Sequence, residues 1–371
     1  LTLLAVTIPF LARITTQTTQ SVGLQVGRLS AISTVGSVIG TLLISYLLIP
    51  LAPNTYTMIM VVALEIVLVA VYFLIFEKGF KQTPGVLPGI LAGMVICGIA
   101  GRVEAVKSPS IGKELFRKNS NFGLMQVVDS PSGNVRYYLN DYLTQNIFDP
   151  KEDKSLTVFT YMLRGLTHAY HPSPEKVLCI GLGVGIVPMQ LAKEGSTIDV
   201  VEINPGVVEI GEKFFGLDKS TFNLHLEDGR YFLNASKEEY DVVILDAFLG
   251  DSSPSHLMSR ECFESMSQRM ENDAVLVINA FGHFSEGEDF FMASLDKTLR
   301  AVFKSVHIHD GTRGNVFFVA SKKEGLEPHR SMDMSEVHPK LIPFVETAWK
   351  NTIDANPESG IILTDNYNPV E

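Results

Sequence analysis

Three carboxylates each follow a short apolar run in the second half of this sequence. Glu202 ends "VVE", Asp228 lies in "LEDGR", and Asp246 follows "VVIL". Acids that end neighbouring parallel strands meet at one edge of the sheet, which is where such folds bind ligands. At that edge Glu202 could accept hydrogen bonds from two ribose hydroxyls, Asp228 could accept one from an adenine amino group, and Asp246 could take a proton from an attacking amine.

Each of these acids also has an ordinary structural alternative. Glu202 could cap a helix, Asp228 could form a simple Asp-Gly turn, and Asp246 could cap a helix or loop. Their combination with one glycine-rich stretch, rather than any single residue, favours a ligand site.

That stretch is "GLGVGIVP", which carries Gly181, Gly183 and Gly185 directly after an apolar run. Glycines at a strand-to-helix turn let the backbone approach a ligand and leave amide groups free to bind it, although a tight turn alone would use them too. A dinucleotide site expects the third glycine one position later, where Ile186 stands. The spacing therefore favours adenosine without a pyrophosphate, as in S-adenosylmethionine.

Charge and cysteine content narrow the function classes further. The formal net charge is -11, and we find no stripe of Lys and Arg of the kind that binds a phosphate backbone, so nucleic acid is excluded as a partner. The three cysteines lack metal-type spacing. His168 with His171, and His307 with His309, have no third ligand nearby in sequence, so we predict structural roles for them and no metal site.

The elements that must position these residues form an alternating pattern. Apolar runs typical of buried strands are followed in most cases by helical stretches, and they are "KVLCIG", "TIDVVEI", "NLHLED", "YDVVILDAF" and "AVLVINAF". Two late runs, "SVHIHD" and "NVFFVAS", are separated by "GTRG" and predict a closing hairpin. The pattern predicts a doubly wound, mostly parallel, seven-stranded Rossmann-like α/β sheet of the class I methyltransferase type.

A different composition precedes this domain. Alternating apolar residues on either side of "SPSGN" predict a β-hairpin or small sheet, which forms a small β-hairpin subdomain at 120–150, after a linker at 102–119 and before the α/β domain at 151–371.

Residues 1–101 contain apolar runs suited to membrane helices, roughly Leu29–Ile49, Tyr56–Ile75 and Val86–Ala100, with Leu1–Leu11 as the end of a fourth. A span needs about 20 residues, so we predict three or four transmembrane helices; a buried helix of a soluble protein is the alternative, strongest for the third run because it is short and contains Pro88. Lys78 and Lys81 place their loop in the cytoplasm by the positive-inside rule. One more span would then put the soluble domain outside, whereas the basic residues after Gly101 favour the inside, so its side of the membrane stays open.

These motifs together resemble a known family. From Glu114 to the C-terminus, including the ending "LTDNYNPVE", the sequence resembles the spermidine synthase family of aminopropyltransferases. The whole chain is similar to bacterial membrane proteins in which major-facilitator-like helices precede such a domain. The matching segments are "GRLSAISTVGSVIGTLL", "GLGVGIVP", "VVEINP" and "LDAFLGDSSPSHL".

The resemblance implies a multi-pass protein of the bacterial inner (cytoplasmic) membrane that binds S-adenosylmethionine, its decarboxylated form or methylthioadenosine, with a small amine as substrate and the lipid bilayer and other membrane subunits as partners. It assigns Glu202 to ribose, Asp228 and Gly229 to adenine, and Asp246 to deprotonation of the amine.

Several positions depart from the family pattern. Val184 stands where the family has an acid that holds the cationic amine of the cofactor, and an aliphatic side chain cannot do this. Phe159 and Thr160 replace a tyrosine and a polar residue that contact the diamine, and Gly123 replaces a glutamine near the nucleoside. Asp251 is a candidate second acid at a longer spacing from Asp246.

Two functions therefore stay open. The first is an aminopropyl- or methyltransferase that works beside the membrane. The second is a catalytically degenerate accessory or scaffold subunit of a membrane complex, because a fold by itself does not establish turnover.

Overall fold

The computed structural model describes residues 11–12, 22–75, 86–106, 112–248, 253–284, 290–311, 314–354 and 359–369. The chain divides into two compact units, one formed mainly by residues up to 107 and one by most of the rest.

The first unit consists of long apolar helices. Helix α1 covers Val22–Leu43 and continues through a π-helical turn, Ile44–Leu48, and a short turn, Ile49–Leu51; α2 covers Asn54–Ile75 and α3 covers Val86–Val106. Two helical stretches, Val22–Leu51 and Thr55–Tyr72, are long and apolar enough to cross a membrane, and 0% and 6% of their apolar windows are buried by the rest of the chain. By length and composition alone this is weak support for insertion.

The apolar runs of the sequence correspond to these helices with shifted ends. Helix α1 begins before the predicted run because Val22 to Arg28 contains no helix breaker other than glycine. Pro88 lies in the first turn of α3, where its missing N–H breaks no helical hydrogen bond, so the helix reaches Val106 inside the predicted linker. The fourth span expected at Leu1–Leu11 and the loop at Lys78 and Lys81 fall almost wholly outside the described residues.

The second unit begins with a five-stranded sheet, which is the small sheet of the two arrangements that the sequence left open. Its strands, in spatial order, are β1 (Lys113–Ser120), β2 (Gly123–Asp129), β3 (Arg136–Asn140), β4 (Leu143–Asp149) and β5 (Lys154–Ser155). The sheet begins before the predicted start at residue 120, because β1 has a mixed, charged sequence without clear alternation and its strand character comes from its place beside β2.

The remaining elements form the α/β domain. Its strands are β6 (Lys176–Ile180), β7 (Thr197–Val201), β8 (Asn223–His225), β9 (Tyr240–Leu245), β10 (Met270–Phe281), β11 (Ser305–Asp310) and β12 (Asn315–Ser321). The helices are α4 (Val158–Tyr170), α5 (Ile186–Lys193), α6 (Pro205–Phe214), α7 (Gly229–Ala235), α8 (Arg260–Gln268), α9 (Phe290–Arg300) and α10 (Ile342–Lys350).

The sheet order is β11-β12-β10-β9-β6-β7-β8, with seven strands. Strands β10, β9, β6, β7 and β8 pair in parallel, whereas β12 runs antiparallel to β10 and to β11. The predicted mixed, mostly parallel α/β fold with a closing hairpin is therefore confirmed. Separate apolar clusters cover the two faces of the sheet, which explains why its central strands are apolar without alternation.

Candidate functional site

The site lies where the central parallel strands end. The Asp246 N–H donates to the Ile180 carbonyl at 2.9 Å, the Gly181 N–H donates to the Val201 carbonyl at 2.9 Å, and the Glu202 N–H donates to the carbonyl of His225 at 3.0 Å. These bonds place the residues that follow β9, β6 and β7 beside the last residues of β6, β7 and β8. The acids at the strand ends consequently converge, as their positions in the sequence predicted.

The glycine-rich turn after β6 is built around left-handed backbone. Gly181 has φ +99°, and a Cβ there would lie 2.2 Å from the Asp246 carbonyl oxygen, so only glycine allows the β6 and β9 ends to meet so closely. Gly183 faces Asn146 of β4. Gly185 has a different environment, because it is the N-cap of α5 and a Cβ on it would lie 2.1 Å from Leu217, away from the strand-end acids.

The Glu202 carboxylate holds this turn in place. Its Oε2 accepts the Leu182 N–H at 3.0 Å and its Oε1 accepts the Asn204 N–H at 2.7 Å. Burial raises the pKa of Glu202, and the backbone N–H donors oppose that rise because they stabilise the charged form. Each carboxylate oxygen has a second lone pair, so a ligand hydroxyl could still bind.

Asp228 is the N-cap of α7, where its Oδ1 accepts the Tyr231 N–H at 2.9 Å and its Oδ2 contacts Nε2 of His256 at 2.9 Å. Partial burial favours a higher pKa for Asp228, but the hydrogen bonds from Tyr231 and His256 outweigh it and lower the pKa below its usual value. Asp228 therefore has two roles: it caps the N-terminus of α7, and it lies on the wall of the site. Beside it, a Cβ on Gly229 would lie 2.6 Å from the Ile180 side chain.

Asp246 directly follows β9 and lies on the cavity wall. The Asn279 amide Nδ2 donates to Asp246 Oδ1 at 2.8 Å, and the Asn315 amide Nδ2 donates to Oδ1 of Asn279 at 2.9 Å. Burial raises the pKa of Asp246 to about 6, although the Asn279 bond acts in the opposite direction. A carboxylate with this pKa is mostly ionised at neutral pH and is well matched to accepting a proton.

These residues line one cavity of ≈ 430 Å³, within the size range of small-molecule sites. Gly181, Gly183, Glu202, Asp228, Gly229 and Asp246 all contribute to its wall, whereas Gly185 does not. Strands β3 and β4 contribute Tyr138 and Asn146 to the same wall, so the small sheet forms part of the site. Among the residues that the structure describes, no group of three potential metal ligands occurs.

Comparison with known proteins shows to which family the chain is similar. The Spermine/spermidine synthase domain family matches residues 157–309. A polyamine aminopropyltransferase of Vibrio vulnificus is 31% identical over 236 residues, which cover 60% of this chain and 77% of that protein. The chain belongs to the spermidine synthase family. A spermine synthase of Arabidopsis thaliana is 24% identical, and the match covers 67% of this chain and 73% of the plant protein.

Solved structures agree on the fold. A probable spermidine synthase from Corynebacterium glutamicum superposes with a TM-score of 0.50 at 13% identity, covering 67% of this chain and 98% of that one. A spermidine synthase in complex with the transition-state analogue AdoDATO also gives 0.50, at 20% identity, covering 61% and 78% of the two chains. At these identities the likeness concerns the fold alone.

The positions that depart from the family pattern have distinct surroundings. Val184 is buried in the apolar core and is not on the wall of the large cavity. Phe159, in the first turn of α4, does line it, whereas Thr160 is buried beneath. Gly123 has φ +108°, and a Cβ there would lie 2.3 Å from Asp141 Oδ2, so this position accepts no side chain without rearrangement. Asp251 lies outside the described residues.

His168 and His309, one from each histidine pair, contact other side chains of the protein. His168 pairs with Glu194. His309 stacks on Trp349 with ring centroids 5.2 Å apart and contacts the Tyr170 hydroxyl, and burial lowers its pKa to about 4.

Several residues of the site were not predicted from the sequence. Asn279, His256 and Phe281 line the cavity, and Asn315 joins them from β12. The sequence contained a signal for Asn279, because it is a polar residue within the apolar run "AVLVINAF". In the structure its side chain is only 1% exposed. For Phe281, which is 46% exposed at the end of the same strand, the position of an aromatic ring at a strand end was the available signal.

Proposed function

We propose that the chain is an aminopropyltransferase-like protein that binds an adenosine-sulfonium ligand at the strand-end cavity and is anchored in a membrane by its N-terminal helices. The observation that carries the proposal is the convergence of Glu202, Asp228 and Asp246 on one cavity beside Gly181. Family membership supports the same activity class and does not favour the alternative of a degenerate scaffold subunit.

The adenosine half of the ligand fits the Glu202 and Asp228 side of the cavity. Gly181 and Gly183 keep the wall there free of side chains, and Glu202 is held rigidly by the Leu182 and Asn204 N–H groups, so it is preorganised to accept ribose hydroxyls. Asp228 and the adjacent Gly229 would meet the base. The ligands that suit this side are S-adenosylmethionine, decarboxylated S-adenosylmethionine and methylthioadenosine.

Asp246 would manage the proton of the acceptor. An amine reaches the site as an ammonium ion and must lose one proton before its nitrogen can attack, and the Asp246 carboxylate is the acceptor for that proton. The nitrogen lone pair then forms a bond to the sulfonium methylene carbon as the carbon–sulfur bond breaks. Its electron pair stays on sulfur as a neutral thioether, and the product leaves as a secondary ammonium ion.

The packing of the helices in the first unit supports the proposed membrane anchoring. Helices α2 and α3 pack where a Cβ on Gly93 would lie 3.0 Å from Ile66 and one on Gly101 would lie 3.6 Å from Ile59. Small residues at such contacts are typical of packed transmembrane helices. A Cβ built on Gly36 or Gly40 of α1 would meet nothing within 4 Å in the described chain, which leaves that face available for further helices.

Calorimetric titration of the detergent-solubilised full chain with methylthioadenosine, S-adenosylmethionine and its decarboxylated form tests the ligand. We expect saturable binding that Asp228→Asn weakens at least about tenfold while leaving α7 capped, since Asn is also a good N-cap. The matched control is Asp218→Asn, because Asp218 caps the short helix Lys219–Thr221 away from the cavity. A folded protein that binds none of the three ligands would refute the proposal and favour the alternative of a scaffold subunit.

A further inference from the structure

His256 lies beside the acid that the proposed site uses for the base of the nucleoside. Its Nε2 contacts Asp228 Oδ2 at 2.9 Å, and both side chains line the cavity. The two residues belong to different elements, because Asp228 caps α7 whereas His256 is in the 3-10 turn Ser255–Leu257. A Cβ on Gly229 would lie 3.7 Å from the Leu257 side chain, so this turn packs against the start of α7.

The contact with Asp228 determines which nitrogen of the His256 ring carries the proton. Partial burial would raise the pKa of Asp228, but its hydrogen bonds hold that pKa below the usual value, so at neutral pH the carboxylate is ionised and can only accept. Nε2 of His256 is therefore the donor, and in the neutral ring Nδ1 is an acceptor. The His256 side chain is 46% exposed on the cavity wall, where a ligand can reach it.

An acceptor nitrogen at this place distinguishes two kinds of purine. The exocyclic amino group of a 6-aminopurine donates hydrogen bonds, whereas a 6-oxopurine presents an oxygen that only accepts. A site that hydrogen-bonds an amino group rejects an analogue without it, because the polar group of the protein is then left unpaired.

An ion pair between α7 and segment 363–368 supports the turn from the other side. Arg230 and Asp365 form two parallel hydrogen bonds of 2.5 Å each, and Asp365 Oδ1 also accepts the Ser259 hydroxyl at 2.6 Å. A bidentate pair of this kind fixes the relative orientation of both side chains as well as their distance.

The same two elements hold the backbone of the turn. Arg230 Nη1 donates to the His256 carbonyl at 3.1 Å, and Asn368 Nδ2 donates to the Ser255 carbonyl at 2.9 Å. Asp365 and Asn368 belong to the stretch "LTDNYNPVE", whose described residues do not line the cavity. That stretch therefore contacts the wall of the site without being part of it.

From this arrangement we infer that His256 is a further ligand-binding residue, which selects a 6-amino group on the base, and that the Arg230–Asp365 pair positions it. Asp228 orients the imidazole, and the imidazole contacts the base. Arg230 and Asp365 are not on the cavity wall and act through the turn. The inference rests on the proposed function and adds to it a residue that recognises the base.

The test compares methylthioadenosine with methylthioinosine, which has a 6-oxo group in place of the amino group. Both are titrated calorimetrically into the full chain in detergent, and we expect the wild type to prefer methylthioadenosine at least about tenfold. His256→Ala should weaken methylthioadenosine binding about fivefold or more and change methylthioinosine binding by less than about twofold, so that the preference falls. The control is His168→Ala, because His168 also pairs with a carboxylate, that of Glu194, but is not on the cavity wall.

Asp365→Asn tests the positioning role. The variant keeps the size of the side chain but removes its charge, and it should weaken methylthioadenosine at least about threefold and lower the preference for the amino base. Asp129→Asn is the matched control, since Asp129 forms a similar bidentate pair with Arg136 away from the cavity wall. Thermal unfolding shows whether each variant is folded. If Asp365→Asn does not fold, Asn368→Ala replaces it, because that change removes only the bond to the Ser255 carbonyl.

Three outcomes would overturn the inference: a wild type that binds both nucleosides equally, a folded His256→Ala in which both affinities change by the same factor, or a positioning variant with wild-type affinity and preference. The wild-type titration keeps the two proposals apart. If methylthioadenosine binds but His256→Ala keeps the preference, only the role of His256 is wrong. If the folded wild type binds neither nucleoside nor either sulfonium ligand, the proposed function fails as well.

Discussion

The Asn279 amide donates a 2.8 Å hydrogen bond to the Asp246 carboxylate across the boundary between two parallel strands, β10 and β9. This contact holds the proposed proton acceptor and lowers its pKa against the effect of burial. Asn315 fixes the orientation of the Asn279 amide by donating to its Oδ1. The three side chains thus form a short chain of hydrogen bonds that ends at the cavity.

Loss of the Asn279 donor should shift the pH dependence of the proposed transfer reaction. The rate depends on ionised Asp246, so activity falls as pH decreases through its pKa of about 6. In Asn279→Ala the pKa rises further, and the acid limb of the kcat/KM profile should move upward by about one pH unit. Asn223→Ala removes a similar amide bond, to Asp199, far from the site and should leave the limb in place. An unmoved limb in Asn279→Ala would exclude this role.

Asp246→Asn should separate activity from stability. The pKa of Asp246 is raised in the folded protein, so the folded state binds its proton more tightly than the unfolded state, and the wild type loses stability as pH rises from about 4 to about 6. The variant has no such loss and should be more stable than the wild type at pH 7.5, by up to about 3 kcal/mol, with the gap closing near pH 4. Chemical denaturation at both pH values measures this difference. Transfer activity should be lost, and a variant less stable at pH 7.5 would contradict the burial argument.

Glu202→Gln should impair ligand binding and stability together. A glutamine has one acceptor oxygen, so one of the N–H groups of Leu182 and Asn204 would face an amide NH2 group. We expect a loss of about 1–3 kcal/mol in the free energy of unfolding and at least about tenfold weaker binding of methylthioadenosine. Glu238→Gln is the control, because Glu238 pairs with Lys176 at the surface and should show neither effect. Normal nucleoside affinity in Glu202→Gln would remove Glu202 from the site.

Comparing two glycines with similar backbone angles distinguishes the stability cost of backbone strain from the cost of a steric clash. Gly181 and Gly195 have φ of +99° and +102°, but a Cβ at Gly181 would lie 2.2 Å from the Asp246 carbonyl oxygen, whereas nothing lies within 4 Å of one at Gly195. Gly195→Ala should cost about 1 kcal/mol of stability for the backbone angle alone. Gly181→Ala should cost about 2 kcal/mol or more beyond that and reduce nucleoside binding. Equal destabilisation of the two variants, measured by denaturant titration, would count against the close approach of the β6 and β9 ends.

The N-terminal helices should retain the full chain in membranes. Long, apolar and exposed helices such as Val22–Leu51 and Thr55–Tyr72 are stable in lipid and insoluble in water. After cell fractionation we expect the protein in the membrane pellet, resistant to extraction by alkaline carbonate and released by detergent. Release by carbonate alone would indicate a peripheral protein, and the anchoring proposal would then be abandoned.

The order of the α/β elements and the acids at the strand ends could be predicted from the sequence. Apolar runs such as that before Asp246 are local signals, and the residue that ends a parallel strand lies at the ligand edge whatever the rest of the chain does. The extent of the small sheet could not be predicted in the same way, because Lys113–Ser120 has no alternation of its own and becomes a strand beside β2.

The sequence by itself determined the strands and helices that surround the site in the α/β domain, the apolar character of the first hundred residues, and the placement of Glu202, Asp228 and Asp246 after successive strands. These features depend on neighbours a few residues away. Only the tertiary structure decided that Gly185 stays off the cavity wall, that Asn279 and Asn315 orient Asp246, and that Phe159 and Phe281 line the same cavity as that acid. Those contacts join residues far apart in the chain. They follow from strand order and register, which the packing of the whole sheet sets and no local pattern encodes.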